Sequence, residues 1–552
     1  MTDSGQSPRF DTHIVENQPT PLEGYNAFAT DLALAEALAR EGGDWGAARA
    51  DKLGAIVGSA EVIDLARQAN RVLPDLHSHD RFGNRIDTIE YHPAWHQLMA
   101  IAIEHETHAL PWREPKPGAH AVRAALAFLM NQGENGVCCP VAMSFAAVPA
   151  IRQEPVLRRE WEARITSNRY DPRLLPAARK DGVIFGMAMT EKQGGSDLRA
   201  NTTVAAPAAE GGDSFRLTGH KWFCSAPMSD GFLTLAQAPG GLTCFLVPRW
   251  LPDGGGNRFF IQRLKDKLGN RSNASAEIEY HETWARRVGG EGEGVRTILS
   301  MVHHTRLDAS VSAAAIMRHA VVHALHHCRC RKAFGERLDN QPMMQAVLAD
   351  LALETEAATA MVMRLARAFD EAEQTPAKAG LARLATAIVK YWVCKRAPTV
   401  VAEAMECLGG NGYVEDGPMA RLYREAPVNG IWEGSGNVIC LDALRTIGDA
   451  PDTLSALLEE LYAARKTDRR YDAYIGMLES SFSQGAADPA GARRTVERLA
   501  LAWQGALLIR HAPAPVADAF CASRLGGDWG RNLGTLPTGV DAEAIIARAW
   551  PG

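Results

Sequence analysis

From Met344 to Phe369 the apolar residues Met344, Val347, Leu351, Ala358, Met361, Leu365 and Phe369 fall three, four or seven positions apart. That spacing draws one face of an α-helix roughly 40 Å long. A single helix cannot bury so long a stripe against itself, so the pattern predicts a bundle of long helices. A second run, about 379–408, carries Leu381, Leu384, Ile388 and Trp392 along one side and stops at Gly409-Gly410-Asn411-Gly412. Earlier, a helix is expected to start at Thr30 as N-cap, with Leu32, Leu34, Ala35 and Leu38 before Gly42-Gly43. Further helical patterns over roughly 46–69, 93–106, 118–132 and 139–151 make the first third read as all-helical.

Between about 183 and 290 the texture changes. Val183-Ile184-Phe185-Gly186-Met187-Ala188, Phe232-Leu233-Thr234-Leu235-Ala236, Thr243-Cys244-Phe245-Leu246-Val247 and the alternating Ala274–Tyr280 are short, strand-like and separated by turn residues. After Ala450-Pro451 the chain is helical again, with a Gly/Asp/Pro break near 485–491, and reads as a separate appendage. The expected organisation is mainly α with an inserted β-domain: an N-terminal helical domain (1–180), a β-domain (181–290), a helical bundle (291–449) and a helical appendage (450–552).

Charge excludes a bulk attraction to nucleic acid: 59 Lys+Arg against 65 Asp+Glu leave −6, so any such surface is a local patch. No apolar run approaches the ~18 residues of a membrane span, and the opening stretch 1–10, with Pro8, has no apolar signal core, which predicts a cytoplasmic protein without membrane contact. In such a chain the ten cysteines are expected to be reduced. Vicinal Cys138-Cys139 reads as packing. Neither His326-His327-Cys328-Arg329-Cys330 nor His303-His304 has a metal-binding spacing, so no metal is expected.

Ile431-Trp432-Glu433-Gly434-Ser435-Gly436-Asn437 sets a lone carboxylate beside an aromatic in a glycine-framed loop. Upstream, Met187-Ala188-Met189-Thr190 runs into Glu191-Lys192-Gln193-Gly194-Gly195-Ser196, where glycines let main-chain N–H groups approach a ligand closely and Thr190 and Ser196 offer hydroxyls. Gly219-His220-Lys221-Trp222-Phe223-Cys224-Ser225 and Arg331-Lys332-Ala333-Phe334-Gly335-Glu336-Arg337-Leu338, with Gln341, follow in order. Together these stretches resemble the flavin and catalytic-base loops of the acyl-CoA dehydrogenases. The wording at Glu191–Ser196, with Asn17-Gln18-Pro19 and Tyr91-His92-Pro93-Ala94-Trp95, is similar to the alkylation-response flavoproteins of that superfamily.

The resemblance implies a dehydrogenase fold with an extra C-terminal helical domain, FAD as cofactor and a homotetramer. It implies Glu433 as the base that removes an α-proton. It places Met187, Met189, Thr190, Gly195, Ser196, Phe223, Cys224, Ser225, Ile431, Trp432, Gly434 and Asn437 at the FAD, with Ser225 reaching N5, and Arg331, Phe334 and Gln341 at the FAD of a neighbouring subunit. Arg306, 25 positions before Arg331, matches an acyl-pocket arginine. His303 departs from the family pattern.

Residues 451–552 hold eleven Lys/Arg and twelve Asp/Glu, so net charge there announces no nucleic acid. Arg465, Lys466, Arg469 and Arg470 fall on one face if helical, and Arg493, Arg494 and Arg498 make a second stripe. Solvated faces are the plain alternative. The resemblance implies that this region meets double-stranded DNA through its phosphates. The expected function is a DNA-associated flavoprotein of the alkylation-damage response with a retained dehydrogenase site, whose small-molecule substrate is an acyl-CoA or an alkylating agent. The alternatives are a metabolic short- or branched-chain acyl-CoA dehydrogenase and a non-catalytic DNA-shielding flavoprotein.

Overall fold

The computed structural model describes residues 12–483 and 488–550. The stretch 1–10 and part of the break at 485–491 lie outside them. The N-terminal region contains α1 (Leu32–Leu38), α2 (Ala47–Val57), α3 (Ala60–Arg71), α4 (Pro93–Glu104), α5 (Leu110–Arg113), α6 (Ala119–Gly133), α7 (Asn135–Ile151) and α8 (Pro155–Ile165). Asp31, one residue past the expected Thr30, caps α1 by accepting from Leu34 N at 3.1 Å. The run 46–69 breaks at Gly58, after which Ser59 caps α3. This third is not all-helical: β1 (Asp75–His79) and β2 (Arg85–Glu90) form an antiparallel hairpin between α3 and α4. Its half-exposed polar strands carry too weak an apolar alternation to be read from sequence.

The β-domain holds β3 (Phe185–Ala188), β4 (Val204–Pro207), β5 (Ser214–Ser225), β6 (Gly231–Ala238), β7 (Gly241–Pro248), β8 (Phe259–Leu264) and β9 (Ser275–Val288). The path β3-β6-β4-β5-β9-β7, with β6 also paired to β7, curls the sheet into a barrel. Inside it Phe215, Phe232, Phe245, Phe259 and Tyr280 pack together.

The bundle is built on α9 (Gly294–Cys330), α10 (Pro342–Glu371) and α11 (Pro376–Glu406), with the short hairpin β10 (Lys332–Ala333) and β11 (Glu336–Arg337) between the first two. Then come α12 (Met419–Glu425), α13 (Gly436–Asp449), α14 (Pro451–Tyr462), α15 (Arg469–Ser483), α16 (Ala492–His511), α17 (Ala514–Phe520) and α18 (Ala542–Ala549). The last five helices are no separate appendage. Leu457, Leu461, Ile475, Leu499 and Trp503 belong to the same apolar core as Leu351, Leu365, Leu384 and Ile388. Arg524 pairs inside that core with Asp350 and Glu354, the latter also gripped by Arg396 at 2.9 Å. Trp392 Nε1 donates to Gln504 Oε1 at 2.8 Å. Among the described residues no helix is long and apolar enough to cross a membrane.

Candidate active site

A register irregularity in β5 aims the side chains of its last turn of strand. The pairing with β9 slips between Lys221 and Cys224, so both turn inward while Phe223 and Ser225 face out. Phe223 is 50% exposed, an expense of apolar surface that fits a flat ligand beside it. The Cys224 thiol lies in the barrel core, leaving only its main chain for a cofactor. The 187–196 loop runs alongside: Trp222 N donates to Thr190 O at 2.8 Å, and Lys192 N to His220 Nε2 at 3.1 Å. Met187 and Met189 are half-buried against the second apolar core, and Gly195 and Ser196 are exposed.

Glu191 anchors this loop from below. Its carboxylate accepts from Lys221 Nζ at 2.7 Å, Thr202 N at 2.7 Å, Gln193 Nε2 at 2.6 Å and Thr203 N at 3.2 Å. Both members of the ion pair are fully buried. Burial alone raises Glu191, but the Lys221 charge and the hydrogen bonds outweigh it and hold the acid at about 2. Burial lowers Lys221 to about 8, so the pair stays ionised across the neutral range.

Glu433 sits on the facing loop, just before α13. Its φ is +60°, a strained conformation for a residue with a side chain, and Gly434 follows at +112°. Two cations hold the strained peptide by its carbonyls: Arg306 Nε donates to Glu433 O at 3.0 Å and Lys390 Nζ to Gly434 O at 2.5 Å. Asp442 in turn bridges Arg306 at 2.8 Å and Arg383 at 3.0 Å. The Glu433 carboxylate therefore keeps one side-chain partner, Thr305 Oγ1 at 2.7 Å. Burial raises its pKa; the Thr305 bond and the charges of Lys390 and Arg306 pull the other way, and Asp308 adds to the rise. Trp432 is fixed by Asn429 Oδ1 at 3.1 Å, while Ile431 is 66% exposed.

Cys139 of α7 ties the two loops to one space. Burial pushes its thiol up to about 12, with Lys267 and a Ser225 hydrogen bond acting downward, Glu433 upward and Asn273 downward. The thiol thus responds to both Ser225 and the Glu433 charge. Asn273, 1% exposed, has the Cys139 thiol as the neighbour of its amide. A thiol is a weak partner for a buried amide, which leaves Asn273 hydrogen-bonding capacity for a ligand near Ser225, where the flavin edge is expected. With exposed Phe223 and the open glycine loop, the residues present fit FAD.

Other expected site residues have partners of their own within the chain. Arg306 clamps the loop through the Glu433 carbonyl and Asp442. Asn437 accepts from Arg493 Nε at 2.8 Å, which takes Arg493 away from the second basic stripe and sets it at the start of α13. Arg331 donates to Asn17 O at 2.5 Å, and Asn17 also pairs with both main-chain groups of Lys332. Phe334, at φ +54° on the hairpin tip, is fully exposed, and Gln341 Nε2 donates to Ala333 O at 3.0 Å. This hairpin has neither Ser225 nor Glu433 among its hydrogen-bond partners. His303 stacks on Phe369 in the bundle at 4.6 Å between ring centres, and burial drives it well below its ordinary pKa.

The basic residues 465–470 do not share a helix face, because α14 ends at Tyr462 and α15 begins at Arg469. Arg465 pairs with Glu479 at 2.6 Å, and Arg470 with Asp468 and Asp518 at 2.5 and 2.6 Å. Lys466, Arg469 and Arg494 are exposed, Arg498 is half-buried, and no carboxylate partner is seen for any of the four among the described residues.

Comparison with known proteins covers the whole arrangement. The Adaptive response protein AidB N-terminal domain matches residues 17–172, the acyl-CoA dehydrogenase middle domain residues 186–283 and the acyl-CoA dehydrogenase C-terminal domain residues 292–448. AidB of Escherichia coli (strain K12), an acyl-CoA dehydrogenase by name, is 44% identical over 525 residues, which is 95% of this chain and 96% of that protein. The solved structure of Caenorhabditis elegans ACDH-11 in complex with C11-CoA is 27% identical, covers 99% of this chain and 93% of that one, and superposes with a TM-score of 0.83. An acyl-CoA dehydrogenase from Bacillus anthracis complexed with FAD, 16% identical, covers 83% and 82% with a TM-score of 0.64, a likeness of fold alone.

Proposed function

The chain belongs to the acyl-CoA dehydrogenase family, in the branch with an AidB-type N-terminal domain, and from that membership we propose that it oxidises an acyl thioester with Glu433 as the base. FAD is the cofactor of this family and, when bound, accepts the hydride equivalent from the β-carbon. Glu433 takes the α-proton, and the burial that raises its pKa makes it a stronger acceptor. Arg306 and Lys390 hold the loop so that the carboxylate meets the substrate without a search. Trp432 packs against the apolar core that contains Met143, which keeps polar groups away from that flank of the loop. The observation that carries this reading is the strained Glu433, gripped by its main chain while its carboxylate remains free for a proton. Anaerobic titration of the FAD-loaded protein with acyl-CoAs of increasing chain length tests it: bleaching of the oxidised flavin band supports the reading, and a band indifferent to all of them rejects it.

Association with double-stranded DNA in an alkylation response is a second proposal. Its support is the group of exposed cations Lys466, Arg469 and Arg494, together with the adaptive-response name of the N-terminal domain. Duplex affinity is then expected to fall with salt at a log–log slope of about −0.9 per phosphate neutralised, and to be weakened by reversing these three charges. A slope near zero rejects it. The proposed homotetramer is supported by apolar side chains that no single copy covers, Phe334, Met343 (86% exposed) and Tyr413 (79% exposed). Sedimentation of the purified protein checks it.

A further inference from the structure

The floor beside Ser225 contains a lysine that the proposed proton abstraction does not use. Lys267 lies in the turn between β8 and β9, its ammonium folded back onto the strand start: Nζ donates to Asn273 O at 2.5 Å and to Ser275 Oγ at 2.9 Å. Ser275 is the cross-strand partner of Ser225, and the two hydroxyl oxygens are 3.4 Å apart. The cation, Ser275 and Ser225 thus form a line that leads from the β8–β9 turn to the face where the flavin edge is expected.

We propose that Lys267, acting through Ser275 on Ser225, sets how readily the bound flavin accepts electrons. An ammonium has three donors and no acceptor. Ser275 must therefore accept from it, which directs the Ser275 proton toward Ser225. Ser225 accepts that proton's bond, and its own proton is shared between the Cys139 thiol and the face where the flavin edge is expected. Without the lysine the direction of the chain is undetermined, and Ser225 is free to act as an acceptor. The cation also places positive charge two hydroxyls from a group that gains negative charge on reduction, in a poorly solvated setting where chains of hydrogen bonds polarise one another. Burial lowers Lys267 to about 8, with the Glu425 charge acting to raise it, so the ammonium is charged in most molecules at neutral pH. The neutral Cys139 thiol adds no competing charge. Lys267 is a positioning residue: it touches Asn273 and Ser275, and its effect reaches the cofactor through Ser225.

The inference rests on the FAD reading above, and the test separates the two. The midpoint potential of the bound flavin is measured by dye equilibration in the parent, Lys267→Met, Lys267→Arg and Ser275→Ala proteins. In Lys267→Met the equilibrium constant for two-electron reduction is expected to fall about tenfold, equivalent to about 30 mV. Lys267→Arg is expected to keep most of the parent potential and Ser275→Ala to fall between. A Lys267→Met flavin with the parent's potential overturns the inference while leaving the FAD reading intact. If Lys267→Met does not retain FAD, Ser275→Ala decides: a parent-like potential there overturns it equally. A parent protein that takes up no FAD defeats the cofactor reading itself, and this inference with it.

Discussion

The two loops that face each other across the candidate site are held by opposite means. In the 187–196 loop the acid is consumed by the structure, since Glu191 is fully buried and its oxygens are taken by Lys221, two threonines and Gln193. In the 431–437 loop the cations grip main-chain carbonyls, and among the described residues the Glu433 carboxylate keeps only Thr305 as a side-chain partner. A loop secured by its backbone can spend its side chain on chemistry. One secured by its side chain cannot, however conspicuous that acid is in the sequence.

Substitution at the two acids should separate these roles most sharply. Glu433→Gln is expected to keep FAD and lose about a hundred- to ten-thousandfold in the rate of flavin reduction by acyl-CoA, read by stopped flow. Glu191→Gln should do the reverse: it strands the buried Lys221 charge, at a cost of about 3–5 kcal/mol in chemical denaturation, while the reduction rate per bound flavin stays near the parent's. Equal losses of rate in both would erase the distinction. Next in size is Arg306→Gln, which removes a charged hydrogen bond of about 1.5–3 kcal/mol from the strained peptide. Its reduction rate is expected to fall tens of times with FAD still bound, and a parent-like rate would show that the clamp is idle.

The smallest effect is on pH dependence. Glu433 must be ionised to accept a proton, so reduction increases as pH rises through its pKa, which burial has already raised. Thr305 acts to lower that pKa. Thr305→Val should therefore move the acid limb to higher pH, and a limb that stays in place removes Thr305 from the tuning of the base.

The long helices were legible because an apolar stripe over Met344–Phe369 has no other solution, and the barrel strands because Phe232–Ala236 and Thr243–Val247 are bounded by turn residues. Glu433, Ser225 and the glycine loop could be picked out by their motifs. Their support could not. Lys390 is one lysine within the apolar stretch Ile388–Trp392, a signal that a buried charge needs a purpose, yet nothing local says that its partner is the Gly434 carbonyl. Cys139, Asn273 and Lys267 meet only because α7 packs against the β8–β9 turn. The basic run 465–470 misleads for a physical reason: its helical spacing crosses the turn between α14 and α15, where Arg465 pairs with Glu479 of α15 and Arg470, at the start of that helix, with Asp468 of the turn and Asp518 of α17.

The buried contacts of Arg524 bear on how the chain is made. Asp350 and Glu354 lie on α10, and the arginine that joins them arrives some 170 residues later in synthesis. Until it emerges, α10 carries two acids on the face it must bury, only one of which has Arg396 to answer it. At a translation speed of about 5–20 residues per second α10 waits roughly ten to thirty seconds for this partner. A chain that ends before Arg524 leaves Asp350 of α10 without its buried cation, so the stability of the central bundle depends on a residue made long after its helices.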